Sequence, residues 1–152
     1  MINIEIIENS PKGHNDLLLE IPELIGKKIL DSYYLILASE GKRKRGNAKY
    51  TLVQLLTFWY QKITQLKEGQ IIYLPIDFND EYTAGLKVEK DQDLILSYGY
   101  SLKICGYSVN PLDPSNYYNK VTDFQAENDN VLIVKQQNVE ECLKGLIDRL
   151  ER

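Results

Sequence analysis

Ile2, Ile4 and Ile6 alternate with Asn3 and Glu5 at the start of the chain. That period of two places every second side chain on one face of a half-buried β-strand. Pro11 and Gly13 end the strand in a loop from Asn9 to Asn15, and Leu17 to Ile21 forms a second apolar run stopped by Pro22. From Ile29 to Ala38 the chain reads ILDSYYLILA. Its aromatic and β-branched content predicts a third strand, although its length also permits a buried helix.

The period then changes. Leu52, Leu55, Leu56, Trp59, Ile63 and Leu66 fall at helical spacing and predict an amphipathic helix over about 51–67. Thr51 and Gln54 have the spacing of a capping box, Tyr50 and Leu55 that of its hydrophobic staple, and Gly69 suits a helix C-terminus. Burying those six side chains contributes on the order of 10 kcal/mol before chain entropy is subtracted. This helix is the expected organiser of the core.

Beyond Gly69 the pattern is β. Gln70 to Ile76 reads as a strand whose Pro75 marks an edge or a bend. Glu81–Glu89 and Asp93–Tyr100 flank Lys90-Asp91-Gln92 and predict a hairpin. Cys105 to Tyr118, rich in Pro, Asn, Gly and Tyr, is the longest irregular stretch, and Val131–Val134 is a last strand. Asn138 then caps a final helix over about 138–151, with Val139, Leu143, Leu146, Ile147 and Leu150 along one face. Helices do not alternate regularly with strands, which argues against a doubly wound parallel sheet. The expectation is one α+β domain over 1–152: a mainly antiparallel sheet of five to seven strands, with the central helix across one face.

Composition narrows the chemistry. One histidine, His14, and two distant cysteines, Cys105 and Cys142, exclude histidine-rich metal sites, CxxC redox pairs and zinc ribbons. A Ser-His-Asp site would have to recruit His14 from a Pro/Gly loop. The reading is therefore a binding domain rather than an enzyme, with no cofactor and no metal. A formal net charge of −4 repels nucleic acid overall, so any such site must be a local patch. The acidic, alternating N-terminus lacks the signature of a signal peptide, and no apolar run is long enough to span a bilayer. A cytoplasmic protein with reduced cysteines is expected, with no membrane partner.

Three groups of residues could carry function, each with a plainer alternative. Lys42, Arg43, Lys44 and Arg45, with Lys49 close by, could contact phosphates, or form a solvated turn bracketed by Gly41 and Gly46. Asp77, Asp80 and Glu81 could hold a hard cation, act as an acid/base pair or face a basic partner. Their spacing lacks the pattern of a calcium loop, and a polar turn is the simpler reading. Tyrosine occurs eleven times, and Tyr98, Tyr100, Tyr107, Tyr117 and Tyr118 gather in one glycine- and proline-rich quarter. Tyrosine offers broad, rigid contact area at low entropic cost, so these could anchor a partner or pack across the hairpin. Phe58, Trp59 and Cys142 read as core.

The segments YLPIDFNDEYTAGLKVEK (73–90), LSYGYS (96–101), CGYSVNP (105–111) and SNYYNKVTDF (115–124) resemble small bacterial proteins associated with immunity proteins of polymorphic or contact-dependent toxin systems. The resemblance covers about Phe58 to Phe124 and is tied to no catalytic motif. It implies an α+β domain that neutralises a toxin by direct binding, and it assigns no individual residue. On the residues themselves, Asp77, Asp80 and Glu81 would face a basic toxin domain, while Tyr100, Tyr107, Tyr117 and Tyr118 would anchor it. The alternatives are a nucleic-acid-binding accessory domain using Lys42–Arg45 and Lys49, and a small hydrolase built on the three carboxylates. Charge layout separates them. A shallow acidic and aromatic surface favours the first, a contiguous basic face the second, and a deep acidic cleft the third.

Overall fold

The computed structural model describes residues 1–7, 16–40 and 47–152. Three strands, β1 (Asn3–Ile7), β2 (Asp16–Ile21) and β3 (Gly26–Leu30), form an antiparallel sheet with β2 in the middle. Leu17, Leu19 and Ile21 of β2 are buried while Leu18 and Glu20 are half-buried, as the alternation predicts. His14 lies outside the described residues.

The run ILDSYYLILA is divided rather than being one strand. Ile29 and Leu30 end β3, and Tyr33–Ser39 is a helix, α1. The division falls at Asp31, whose carboxylate accepts the Tyr33 N–H at 2.8 Å. Such a local side-chain bond competes with the strand ladder and favours a helix start. Leu35 and Ser39, four residues apart, are then buried on one helical face.

Helix α2 (Ala48–Thr64) carries the predicted stripe, with Leu52, Leu55, Leu56, Trp59 and Ile63 buried and Leu66 just beyond its end. Its start differs from expectation. Asn47 is the N-cap and its side chain accepts the Tyr50 N–H. Thr51 lies inside the helix, where its hydroxyl donates to the Leu35 carbonyl at 2.7 Å and ties α2 to α1.

The second sheet contains β4 (Ile71–Phe78), β5 (Thr83–Asp91), β6 (Asp93–Ser101) and β7 (Gln125–Ala126) in that order, with β8 (Leu132–Val134) also pairing with β6. The hairpin turn is tighter than its three expected residues, because Gln92 takes a left-handed φ of 62° between Asp91 and Asp93. Helix α3 (Gln136–Glu151) starts before Asn138 and has Lys135 at its N-cap. Val139, Leu143, Leu146 and Leu150 are its buried face, as the spacing predicts. Arg149 donates to the Ile4 carbonyl at 2.7 Å and Gln136 to that of Ile63, so α3 joins β1 to α2.

The fold is thus α+β and antiparallel, but the strands form two sheets of three and five instead of one. One apolar cluster runs through both sheets and the helices. Among the described residues, no helix is long and apolar enough to cross a membrane.

Candidate functional site

Strand β4 is an edge strand, and its pairing with β5 slips between Pro75 and Asp77. Pro75 pairs with Gly85 and Asp77 with Ala84, leaving Ile76 as the extra residue of a bulge. Cross-strand partners share a face. Leu74, Leu86 and Tyr98 therefore lie on the face that also carries Ala84 and Tyr100, and the bulge turns Asp77 onto it. In an unbroken strand Asp77 would point the opposite way from Leu74. Re-aiming one side chain is the recognised effect of a bulge.

Asp77 consequently sits 7% exposed at the wall of a cavity of about 250 Å³. Tyr82 and Ala84 of the β5 side and Tyr98, Tyr100 and Leu102 of the β6 side line the cavity, and Lys28 of β3 and Glu127, just after β7, complete it. The Asp77 carboxylate accepts hydrogen bonds from Asn79 Nδ2 at 2.8 Å and Tyr82 Oη at 3.2 Å. Burial still pushes its pKa above the usual carboxylate range, against the opposing pull of those bonds and of Lys28. The Lys28 ammonium is paired with Glu127 and lies 5.8 Å from the centre of the Tyr98 ring. Burial, then the neighbouring Asp77 carboxylate, pushes Tyr82 up to about 12. Tyr98 is 4% exposed, and its hydroxyl has no hydrogen-bond partner among the described residues. Burial places its pKa well above the ordinary tyrosine value, so Tyr98, like Tyr82, is neutral near pH 7. The cavity is small, walled by aromatic rings and richer in negative than positive charge.

Beside it lies an open rim. Asp80, exposed after β4, accepts a short hydrogen bond from Tyr34 of α1, whose pKa that bond pushes up to about 12. Tyr33 packs edge-on against Tyr34 with ring centres 5.1 Å apart, and Asp31 lines the same depression. Tyr107 projects from a 3-10 turn at Gly106–Ser108 and is 65% exposed. That turn is held against the end of β4 by the Gly106 N–H, which donates to the Asn79 carbonyl at 2.7 Å. The approach requires glycine, because a Cβ at this position would collide with the Asn79 backbone.

The sequence-expected residues are thereby separated. Asp80, exposed Glu81 and Tyr107 occupy the rim end, and Asp77 and Tyr100 belong to the cavity. Asp77 is buried at the cavity wall while Asp80 and Glu81 are exposed, so the three carboxylates do not converge on one point. Among the described residues no group of acidic, histidine or cysteine side chains could hold a metal ion. Tyr117 cannot serve as a surface anchor: it is 1% exposed, with its hydroxyl toward the Thr83 carbonyl at 3.5 Å. Tyr118 stands apart, packed edge-on against Phe58 at 5.6 Å, with the Lys62 ammonium 4.5 Å from its ring centre. Its carbonyl accepts the Tyr73 N–H at 2.8 Å and covers the β4 edge. Phe58 is accordingly half-buried instead of fully core.

Lys42, Arg43, Lys44 and Arg45 lie outside the described residues, and Lys49 is an exposed residue of the first turn of α2. Sequence reasoning missed Lys28, Tyr34, Tyr82 and Glu127. Tyr98 and Tyr100 share a face by simple alternation, so that part of the cavity was legible. Lys28 and Glu127 are 99 positions apart, and no local pattern links them. No family model, curated protein or solved structure matches the chain.

Proposed function

We propose that the chain is a non-enzymatic protein-binding domain of the immunity type, which neutralises a basic toxin domain by covering it. The observation that carries this reading is the exposed rim. Tyr33 is 53% exposed in one depression with the carboxylates of Asp31 and Asp80, Tyr107 is 65% exposed on the Tyr34 side, and Leu102 is 59% exposed at the cavity. Exposed tyrosines ringed by acids suit a partner surface: the acids speed encounter with a basic protein and the rings slow its escape. The sequence resemblance to immunity proteins suits the same kind of function and assigns no residue to the surface. Its segments 73–90, 96–101 and 105–111 supply β4, β5, β6 and the turn that bears Tyr107.

The test is to isolate the partner from the native host, reconstitute the purified pair and measure its Kd with single variants. Tyr107→Ala and Tyr33→Ala should each cost about 2 kcal/mol or more if they are true anchors, roughly a thirtyfold weakening. Asp80→Lys should chiefly slow association, and more so at low salt. A complex indifferent to all three variants would refute this surface.

A further inference from the structure

One group in the cavity lacks a hydrogen-bond partner and another lacks an ion-pair partner of its own. Tyr98 buries a hydroxyl without a partner, a costly state for a polar group. Asp77 buries a carboxylate held by two neutral donors, while the nearby ammonium of Lys28 is taken by Glu127. Buried polar groups in native proteins nearly always have a partner, so a group in this condition calls for one. The size points to a small one, since about 250 Å³ lies below the range of drug-sized ligand pockets.

We infer that this cavity receives one cationic side chain from the protein partner, an arginine guanidinium donating to the Asp77 carboxylate and the Tyr98 hydroxyl. An anion would meet two carboxylates against one ammonium, and a neutral apolar group would leave the Tyr98 hydroxyl without a partner and the Asp77 charge without a counter-ion of its own. A guanidinium supplies several donors in a planar fork, which can serve a carboxylate and a phenol oxygen together. Tyr82 and Tyr100, edge-on to each other at 6.3 Å between centres, offer the aromatic walls on which such a plane packs. The inference rests on the proposed function for the source of the arginine, and on the cavity alone for its chemistry.

Binding would be linked to pH. Asp77 is faced by Lys28 from β3, Asp31 after β3, Tyr82 before β5, Tyr98 from β6 and Glu127 after β7. The cation favours the ionised carboxylate, so affinity holds at neutral pH and falls as Asp77 takes up a proton.

The experiment titrates the ¹⁵N-labelled full chain with N-acetyl-arginine methylamide and, separately, with its neutral isostere N-acetyl-citrulline methylamide. The arginine compound should saturate with a Kd on the order of a millimolar, shifting the amides of Asp77, Tyr82, Tyr98 and Tyr100. Citrulline should bind about tenfold more weakly, and Asp77→Asn should weaken the arginine compound by a similar factor. Equal binding of the two compounds, or no saturable binding, overturns the inference, and this comparison stands on the wild type even if a variant fails to fold. In the reconstituted complex, Asp77→Asn should weaken binding and couple non-additively to loss of one partner arginine. If the probe binds but the complex ignores Asp77→Asn, the partner is overturned as the source and a free guanidine replaces it. A silent cavity with a complex still sensitive to Tyr107→Ala overturns the inference and leaves the proposed function standing.

Discussion

Near the β5–β6 turn, the sheet face that bears the cavity presents the cross-strand row Ile72, Val88 and Leu96, with exposures of 7%, 0% and 0%. At the other end of the same strands, the equivalent row is Asp77, Ala84 and Tyr100, next to the unpartnered Tyr98. The same strands run through both places, but the β4–β5 ladder slips by one residue before it reaches Asp77. One end contains aliphatic side chains that only pack; the other buries a charge and a hydroxyl that packing alone does not repay. On the proposed function, stability and recognition fall at opposite ends of one face, in the way functional sites commonly give up local consistency.

The comparison can be broken most forcefully at the aliphatic end. Leu96→Ala should cost about 2–5 kcal/mol in urea unfolding, through lost transfer energy and the cavity left behind. The arginine affinity of the remaining folded protein should not change. A cost comparable to an ordinary surface substitution would show that the two ends do not differ as described.

The opposite sign is expected at Asp77. Because its folded pKa is raised above the unfolded value, the native state holds the proton more tightly. The stability associated with that proton is present below the unfolded pKa and is lost as pH rises through the folded pKa. Asp77→Asn should therefore raise Tm at pH 7, and the difference should shrink in acid. A Tm that falls at pH 7, or a gain that persists unchanged in acid, would contradict a desolvated carboxylate. Tyr98→Phe is a smaller change of the same kind. Removing a hydroxyl that has no partner should leave stability unchanged or raise it by about 1 kcal/mol, measured by thermal unfolding. Loss of stability would mean that the hydroxyl is already satisfied. Tyr107→Ala should have the least effect on folding, within about 0.5 kcal/mol, while acting on the partner complex.

Periodicity identified most elements because burial imposes it on each locally. Leu52 to Ile63 had to be helical and Leu17 to Ile21 extended for their apolar atoms to leave water together. It failed where a short polar group decided the backbone. Asp31 turned half of an apolar run into α1, and Asn47, not Thr51, capped α2. Pro75 announced a bend on an edge strand, and the structure places a bulge there. Which way Asp77 faces was not legible, since a slip of one residue reverses a side chain without altering the sequence pattern.

From its residues alone the chain determined an antiparallel α+β class, the apolar stripes of α2 and α3 and the hairpin of β5 and β6, all of which follow from short-range period and turn chemistry. The tertiary structure decided the division into two sheets, the burial of Tyr117, and the meeting of Lys28, Asp77, Tyr98 and Glu127 around one cavity. Those outcomes depend on contacts between residues up to 99 positions apart, and on a one-residue register shift. Local preference carries no information about such distances; the packing of the whole chain does.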